Sequence, residues 1–153
     1  MAHPQGADEA DEDHLRTLVR RQIREGTDWI KIYVDAPHGL GPNPKPAFSK
    51  ESFKAALESG VLIGNGSDIG VFPHGQGYQE LEMLVKYGMT PLQALRCATS
   101  DASKLLDLQN KVGIVKEGMI ADLAAFEGDP SKEIKDVRKV KFVMKSGNIY
   151  KQP

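Results

Sequence analysis

The sequence predicts an α/β protein with a small β-rich piece at its C-terminus. Two short apolar runs, Trp29–Val34 and Val61–Ile63, each lead into a loop rich in glycine or proline, as buried strands do. Around them apolar residues recur at helical spacing, and beyond about residue 109 the texture changes to short β-branched runs separated by turn residues. The rest of the chain is organised around Gly64–Leu81, GNGSDIGVFPHGQGYQEL. There the run Val61-Leu62-Ile63 passes through Gly64-Asn65-Gly66 to a carboxylate, Asp68, and then to a glycine-rich turn carrying His74. In α/β proteins ligands and metals sit at the C-terminal edge of the strands, because side chains converge there while the following loops close over them. Asp68 is a site candidate by position alone. The alternative, in which Asp68 caps a turn and His74 is a solvated loop residue, stands beside it.

Residues 1–10 are polar and carry His3, Pro4 and Gly6, which reads as a flexible tail. Leu15, Leu18, Val19 and Ile23 then mark one face of a surface helix, with Asp11, Glu12 and Asp13 at its positive end and Gly26 just past its last turn. Arg16, Arg20, Arg21 and Arg24 fall mostly on the other face and read as solvated. Trp29–Val34 is β-branched and aromatic, a strand buried on both faces, but Lys31 interrupts it. An unpaired ammonium is costly to bury. Either the stem of Lys31 snorkels to the strand edge, or it is a modified or metal-associated lysine at a site.

Asp35–Phe48, with His38 and the sequence PNPKP, reads as a long irregular loop in which His38 is solvated. Ser49 caps a helix bearing Phe53, Ala56 and Leu57 and stopped by Gly60. Another amphipathic helix runs from Tyr78 to Gly88, and Thr90-Pro91-Leu92-Gln93 is a capping box with proline at the first helical position. Leu92, Leu95 and Ala98 face a core, a short helix follows over about Asp101–Leu106, and Val112–Phe126 and Val140–Tyr150 read as β segments with turns at Glu117-Gly118 and Ser146-Gly147-Asn148.

Composition bounds the function. At 153 residues, with 27% charged and 40% hydrophobic residues, the chain has the size and balance of one soluble domain. A formal charge of -1 gives no electrostatic footprint for nucleic acid or an anionic membrane. No apolar stretch reaches the roughly 18 residues a spanning helix needs, the N-terminus is acidic where a signal peptide would be basic, and the single Cys97 excludes an intrachain disulfide. A cytoplasmic protein is expected.

The residues also carry a resemblance. Gly60-Val61 through Gly66-Ser67-Asp68, His74-Gly75, Glu80-Leu81, Gly88-Met89-Thr90-Pro91, Ala94-Leu95 and Ala98-Thr99 resemble the last barrel strand and following helices of the metal-dependent amidohydrolase superfamily. The likeness is to its imidazolonepropionase-like and Xaa-dipeptidase (prolidase)-like members. Gly113 with Gly118, Ala121-Asp122-Leu123, Asp129-Pro130 and Val143–Gly147 resemble the return of that family's chain to a β-sandwich, and Gly26–Ile32 is similar to its fourth barrel strand. The resemblance implies a partial (β/α)8 TIM-barrel over residues 11–108, followed by a β-sandwich piece over 109–153. It implies that Lys31 matches a carboxylated lysine bridging two divalent metals, Zn by family expectation. Asp68 matches an aspartate that binds metal and shuttles the proton, and His74 a histidine over the pocket that contacts substrate. The implied reaction is hydrolysis of a C–N bond in a small amide by metal-activated water.

The departures are as informative. The family holds its metals with a His-x-His and two further histidines, whereas this sequence has only His3, His14, His38 and His74, with no His-x-His among them. A full barrel takes ~250 residues, and only a fourth-like and an eighth-like strand are recognisable here. Residues 52–55 read as a junction across which about three strands and their helices have dropped out. The expectation is an N-terminally truncated, internally deleted product whose metal binding is weak or absent and whose activity alone is slight. The alternative is a non-catalytic fragment that self-associates through open strand edges, or associates with a full-length homologue.

Overall fold

The computed structural model describes residues 12–30, 50–66 and 73–153 of the chain. By internal contacts the chain forms two compact units, Met1–Ala55 and Ala56–Pro153. No helix among the described residues is long and apolar enough to cross a membrane.

In the first unit, α1 spans Glu12–Arg24, with Arg21 and Arg24 in the last turn where cations suit the helix dipole. Its end is a Schellman motif: Gly26 N–H donates to Ile23 O and Thr27 N–H to Gln22 O, each at 3.1 Å. The helix α2, Lys50–Glu58, closes in the same way, with Gly60 and Val61 donating to Leu57 and Ala56. Phe53 on α2 is buried. Of the expected strand Trp29–Val34 only Trp29 and Ile30 are described; both are irregular and Trp29 is half exposed, while the rest of the run lies outside the described residues. Ser49 and the loop 35–48 lie outside them too.

The second unit begins at Ala56, within α2, and continues through α3 (Tyr78–Lys86), α4 (Pro91–Ala98) and α5 (Ser100–Leu105), packed in succession. Tyr87 ends α3, and Gly88 at φ 127° lets Met89 N–H reach back to Leu84 O. Leu84, Met89, Ala94 and Cys97 are buried, and on α4 the inward stripe is Ala94 and Cys97 where Leu92, Leu95 and Ala98 were expected, Leu92 being exposed. The capping box is formed: Gln93 N–H donates to Thr90 Oγ1 at 3.2 Å and Thr90 N–H to Gln93 Oε1 at 2.7 Å, with Pro91 at the first helical position. Thr90→Ala is expected to cost about 1 kcal/mol of stability, read as a lower urea midpoint at unchanged slope.

The C-terminal sheet has three antiparallel strands in the order β1 (Leu123–Phe126), β2 (Val140–Lys145) and β3 (Asn148–Lys151). Register sets Leu123, Met144 and Ile149 side by side in one apolar row. The β2–β3 connection is the two-residue turn Ser146-Gly147, both at positive φ as a type I′ hairpin needs. Asp122 clasps it, accepting from Ser146 N–H at 2.7 Å and Lys145 Nζ at 2.8 Å. The expected β segment beginning at Val112 is corrected: only Leu123–Phe126 is strand, and 112–122 is turn and coil. Ile120 N–H donates to Lys111 O. That single rung propagates no ladder, and Ile114 and Val115 stay exposed.

A short 3-10 helix, Ile134–Arg138, joins β1 to β2 and buries Ile134, Val137 and Asp136. It packs against α3, where Arg138 forms a two-pronged pair with Glu82, Nε to Oε1 at 2.5 Å and Nη2 to Oε2 at 2.6 Å. The guanidinium also lies 4.9 Å from the centre of the Tyr78 ring. Asp136 Oδ1 accepts from Lys139 Nζ at 2.7 Å and Oδ2 from Asp129 N–H at 2.9 Å. A side chain on Gly128 would overlap that carboxylate.

The Lys139 ammonium first, and the Asp129 amide second, hold the Asp136 carboxyl below its ordinary value. A depressed carboxylate contributes stability that is complete above the unfolded-state pKa, about 3.9, and is lost as pH falls through the folded value. The native chain is therefore expected to lose urea resistance as pH falls below about 4, and Asp136→Asn to lose less over the same interval. Equal losses in the two proteins would contradict the pairing.

Candidate functional site

The segment that approaches the predicted site is fixed from below by α4. Its described part, Val61–Gly66, carries no strand assignment. That corrects the expectation of a strand at Val61–Ile63, and the reason is physical. A strand exists only where a neighbour completes its ladder, and none does so here among the described residues. Instead the fully buried Cys97 holds the segment at two points: its S–H donates to Ile63 O at 2.9 Å, and its carbonyl accepts from Asn65 N–H at 3.0 Å. Gly64 lies between these points, where a Cβ would meet the Leu105 side chain of α5.

Burial first, and the negative charges of Asp101 and Glu80 second, push the Cys97 thiol up to about 12. At neutral pH it is a protonated donor, unsuited to metal ligation or nucleophilic attack, both of which need the thiolate. Its role is to hold the segment in place. The same segment buries the side-chain oxygen of Asn65, which has no hydrogen-bond partner among the described residues.

Of the predicted site residues, Lys31 and Asp68 lie outside the described residues, as do His3 and His38. His74 is described: it sits exposed in the turn before α3, with Gly75 after it at φ 89°. Among the described residues no group of three or more His, Cys, Asp or Glu side chains could hold a metal ion.

Sequence reasoning passed over Cys97 and Asn65 as site-supporting residues. Cys97 follows Ala94 by three positions, on the inward stripe of α4. That spacing signals burial; its contact with Ile63, 34 residues away, has no local signature.

Comparison with known proteins agrees with this geometry. The model of the amidohydrolase family matches residues 49–150. Ochratoxinase from Aspergillus niger is 34% identical over 108 residues, covering 67% of this chain and 22% of its own length. Its crystal structure matches with a TM-score of 0.60 at 33% identity, over 68% of this chain and 25% of that one. A Xaa-Pro dipeptidase crystallised with methionine in its active site is similar at TM-score 0.63 and 36% identity, covering 67% of this chain and 25% of that one. An amidohydrolase from Thermotoga maritima, 21% identical, shares the fold at TM-score 0.66 over 93% of this chain and 42% of its own. The chain thus spans about a quarter of the length of the ochratoxinase and the dipeptidase that it matches. The matched family model covers two successive parts of one arrangement, the helices that support the Ile63–Asn65 segment and the sheet that follows them, and the chain belongs to the amidohydrolase family.

Proposed function

We propose that this chain is part of a (β/α)8-barrel hydrolase of the metal-dependent type. The whole enzyme would cleave a C–N bond in a small amide, such as an N-acyl amino acid, a dipeptide or a cyclic amide, and the present chain by itself would turn over little or none. The observation that carries the reading is the family match over residues 49–150, which includes both the approach to Asp68 and its Cys97 anchor. Similarity to a Xaa-Pro dipeptidase supports an amide substrate of amino-acid size.

In this reading Lys31 descends from the metal-bridging lysine, Asp68 from the metal-binding, proton-carrying aspartate, and His74 contacts substrate. Slight activity follows from the histidines. A catalytic zinc typically has three protein ligands plus a water, and with four histidines and no His-x-His the sequence lacks most of the family's set. The break between compact units at Ala55/Ala56 supports a junction there. Cys97, a free buried thiol, suits the reducing cytoplasm.

The test is elemental analysis of the purified, dialysed chain, with assay of N-acyl amino acids and dipeptides after zinc addition. No bound metal and no amine release are expected. About two equivalents of metal per chain, with turnover abolished by Asp68→Asn, would overturn the inactive reading.

A second reading, a non-catalytic fragment that associates with a copy of itself or with a full-length homologue, is favoured by the exposed Ile149 and Tyr150 on β3, which pairs with β2 alone among the described residues. A monodisperse monomer by light scattering would count against it.

A further inference from the structure

We propose that Asn65-Gly66 is a site of spontaneous covalent modification, at which loss of ammonia from Asn65 unfastens the Val61–Gly66 segment from Cys97.

Sequence and placement meet at this pair. Of the four asparagines, Asn43, Asn65, Asn110 and Asn148, only Asn65 is followed by glycine. Asn43 precedes Pro44, which has no amide hydrogen to lose, and Asn148 precedes the β-branched Ile149 within β3. Gly66 is exposed, and a Cβ built on it would meet nothing within 4 Å, so solvent reaches it and no neighbour crowds it. Having no side chain of its own, glycine leaves its amide unshielded and lets the backbone around it take up conformations that other residues avoid.

The reaction needs only water. The Gly66 amide nitrogen loses its proton to solvent and attacks Cγ of Asn65. A carbon–nitrogen bond forms, the bond from Cγ to Nδ2 breaks, and Nδ2 takes up a proton and leaves as ammonia. Water then adds to either carbonyl of the resulting cyclic imide and breaks one of its bonds to nitrogen. Opening on one side gives aspartate. Opening on the other gives isoaspartate, in which the chain runs through the former side chain and gains a backbone atom. No metal or substrate takes part, so the change is independent of the hydrolase reading.

It falls where the segment is held. Cys97 donates its S–H to Ile63 O at 2.9 Å, and its carbonyl accepts from Asn65 N–H at 3.0 Å. The side-chain oxygen of Asn65 is buried beside these bonds. In the aspartate product a charge occupies that buried position, and a carboxylate is far costlier to bury than an amide. In the isoaspartate product the extra backbone atom enters between the residue that Cys97 holds and Asp68, and a free carboxylate is added as well. Either product favours departure of the segment from Cys97, and the thiol then meets solvent.

The experiment incubates the purified full chain at neutral pH, follows ammonia release, and locates the product by peptide mass spectrometry. The peptide containing Asn65 should gain one mass unit with time, with isoaspartate detected there by enzymatic carboxyl methylation, while those containing Asn43, Asn110 and Asn148 stay unchanged. Gly66→Ala, whose Cβ the surroundings accommodate, should slow the change ~tenfold, equivalent to about 1.4 kcal/mol of barrier. Ellman's reagent should label Cys97 ~tenfold faster in the aged chain than in the fresh one, and Asn65→Asp should label faster without ageing. Gly66→Ala kept for the same time should label as slowly as the fresh parent chain. Persistence of Asn65 in the folded chain, or equal rates in the parent and Gly66→Ala, would overturn the modification. Conversion of Asn65 with Cys97 labelled no faster would overturn the release, as would loss of far-UV circular dichroism in the aged chain, which would mean general unfolding.

Discussion

Gly113→Ala is expected to destabilise the C-terminal unit by about 3 kcal/mol or more. Gly113 sits at φ 99°, and a Cβ there would stand 2.5 Å from Ser103 Oγ, 2.7 Å from Ser103 Cβ and 2.9 Å from Thr99 O. None of these neighbours can retreat easily. Ser103 is buried and its hydroxyl donates to Ser100 O, while Thr99 O accepts the Ser103 amide of α5. The control is Gly118→Ala, at φ 85° with nothing within 4 Å, which should cost only the local backbone strain of about 1 kcal/mol. Urea unfolding of the two variants separates the effects; equal losses would mean that the Gly113 turn does not rest on α5.

The second large effect is chemical. With its thiol pushed up to about 12, Cys97 should carry about a thousand-fold less thiolate near pH 8 than a free cysteine, and its burial adds a steric barrier. Ellman's reagent is expected to label the native chain at least that much more slowly than the urea-unfolded chain. Labelling at the rate of a free thiol would show that Cys97 is not seated against Ile63, and would remove the anchor from the Val61–Gly66 segment.

The features most legible in the sequence were those written in neighbouring residues. Thr90 and Gln93 lie three positions apart, and the capping box they announce is present. Gly26, Gly60 and Gly88 each follow a helix whose apolar spacing had placed its end. The Ser146-Gly147 hairpin was legible for the same reason.

What failed depended on partners distant in the chain. Val61-Leu62-Ile63 has the composition of a strand, but a strand is a relation between two segments, and no second segment pairs with it among the described residues. At the candidate site, Asp68 was marked by its place after an apolar run and Lys31 by its interruption of one, and only their roles came through resemblance to the family. The exposed His74 had no periodicity to place it.

The Arg138–Glu82 pair has a consequence for the order in which the unit assembles. The α3, α4 and α5 contacts join neighbours in the chain and close short loops, which is fast. The pair joins residues 56 apart, and the entropy of closing so long a loop must be met before the bond returns anything. The helices are thus the early-forming part, and the guanidinium clasp over Tyr78 is the late step that ties the sheet side to them. On unfolding the same clasp should open first, so the sheet would come away while the three helices still hold one another.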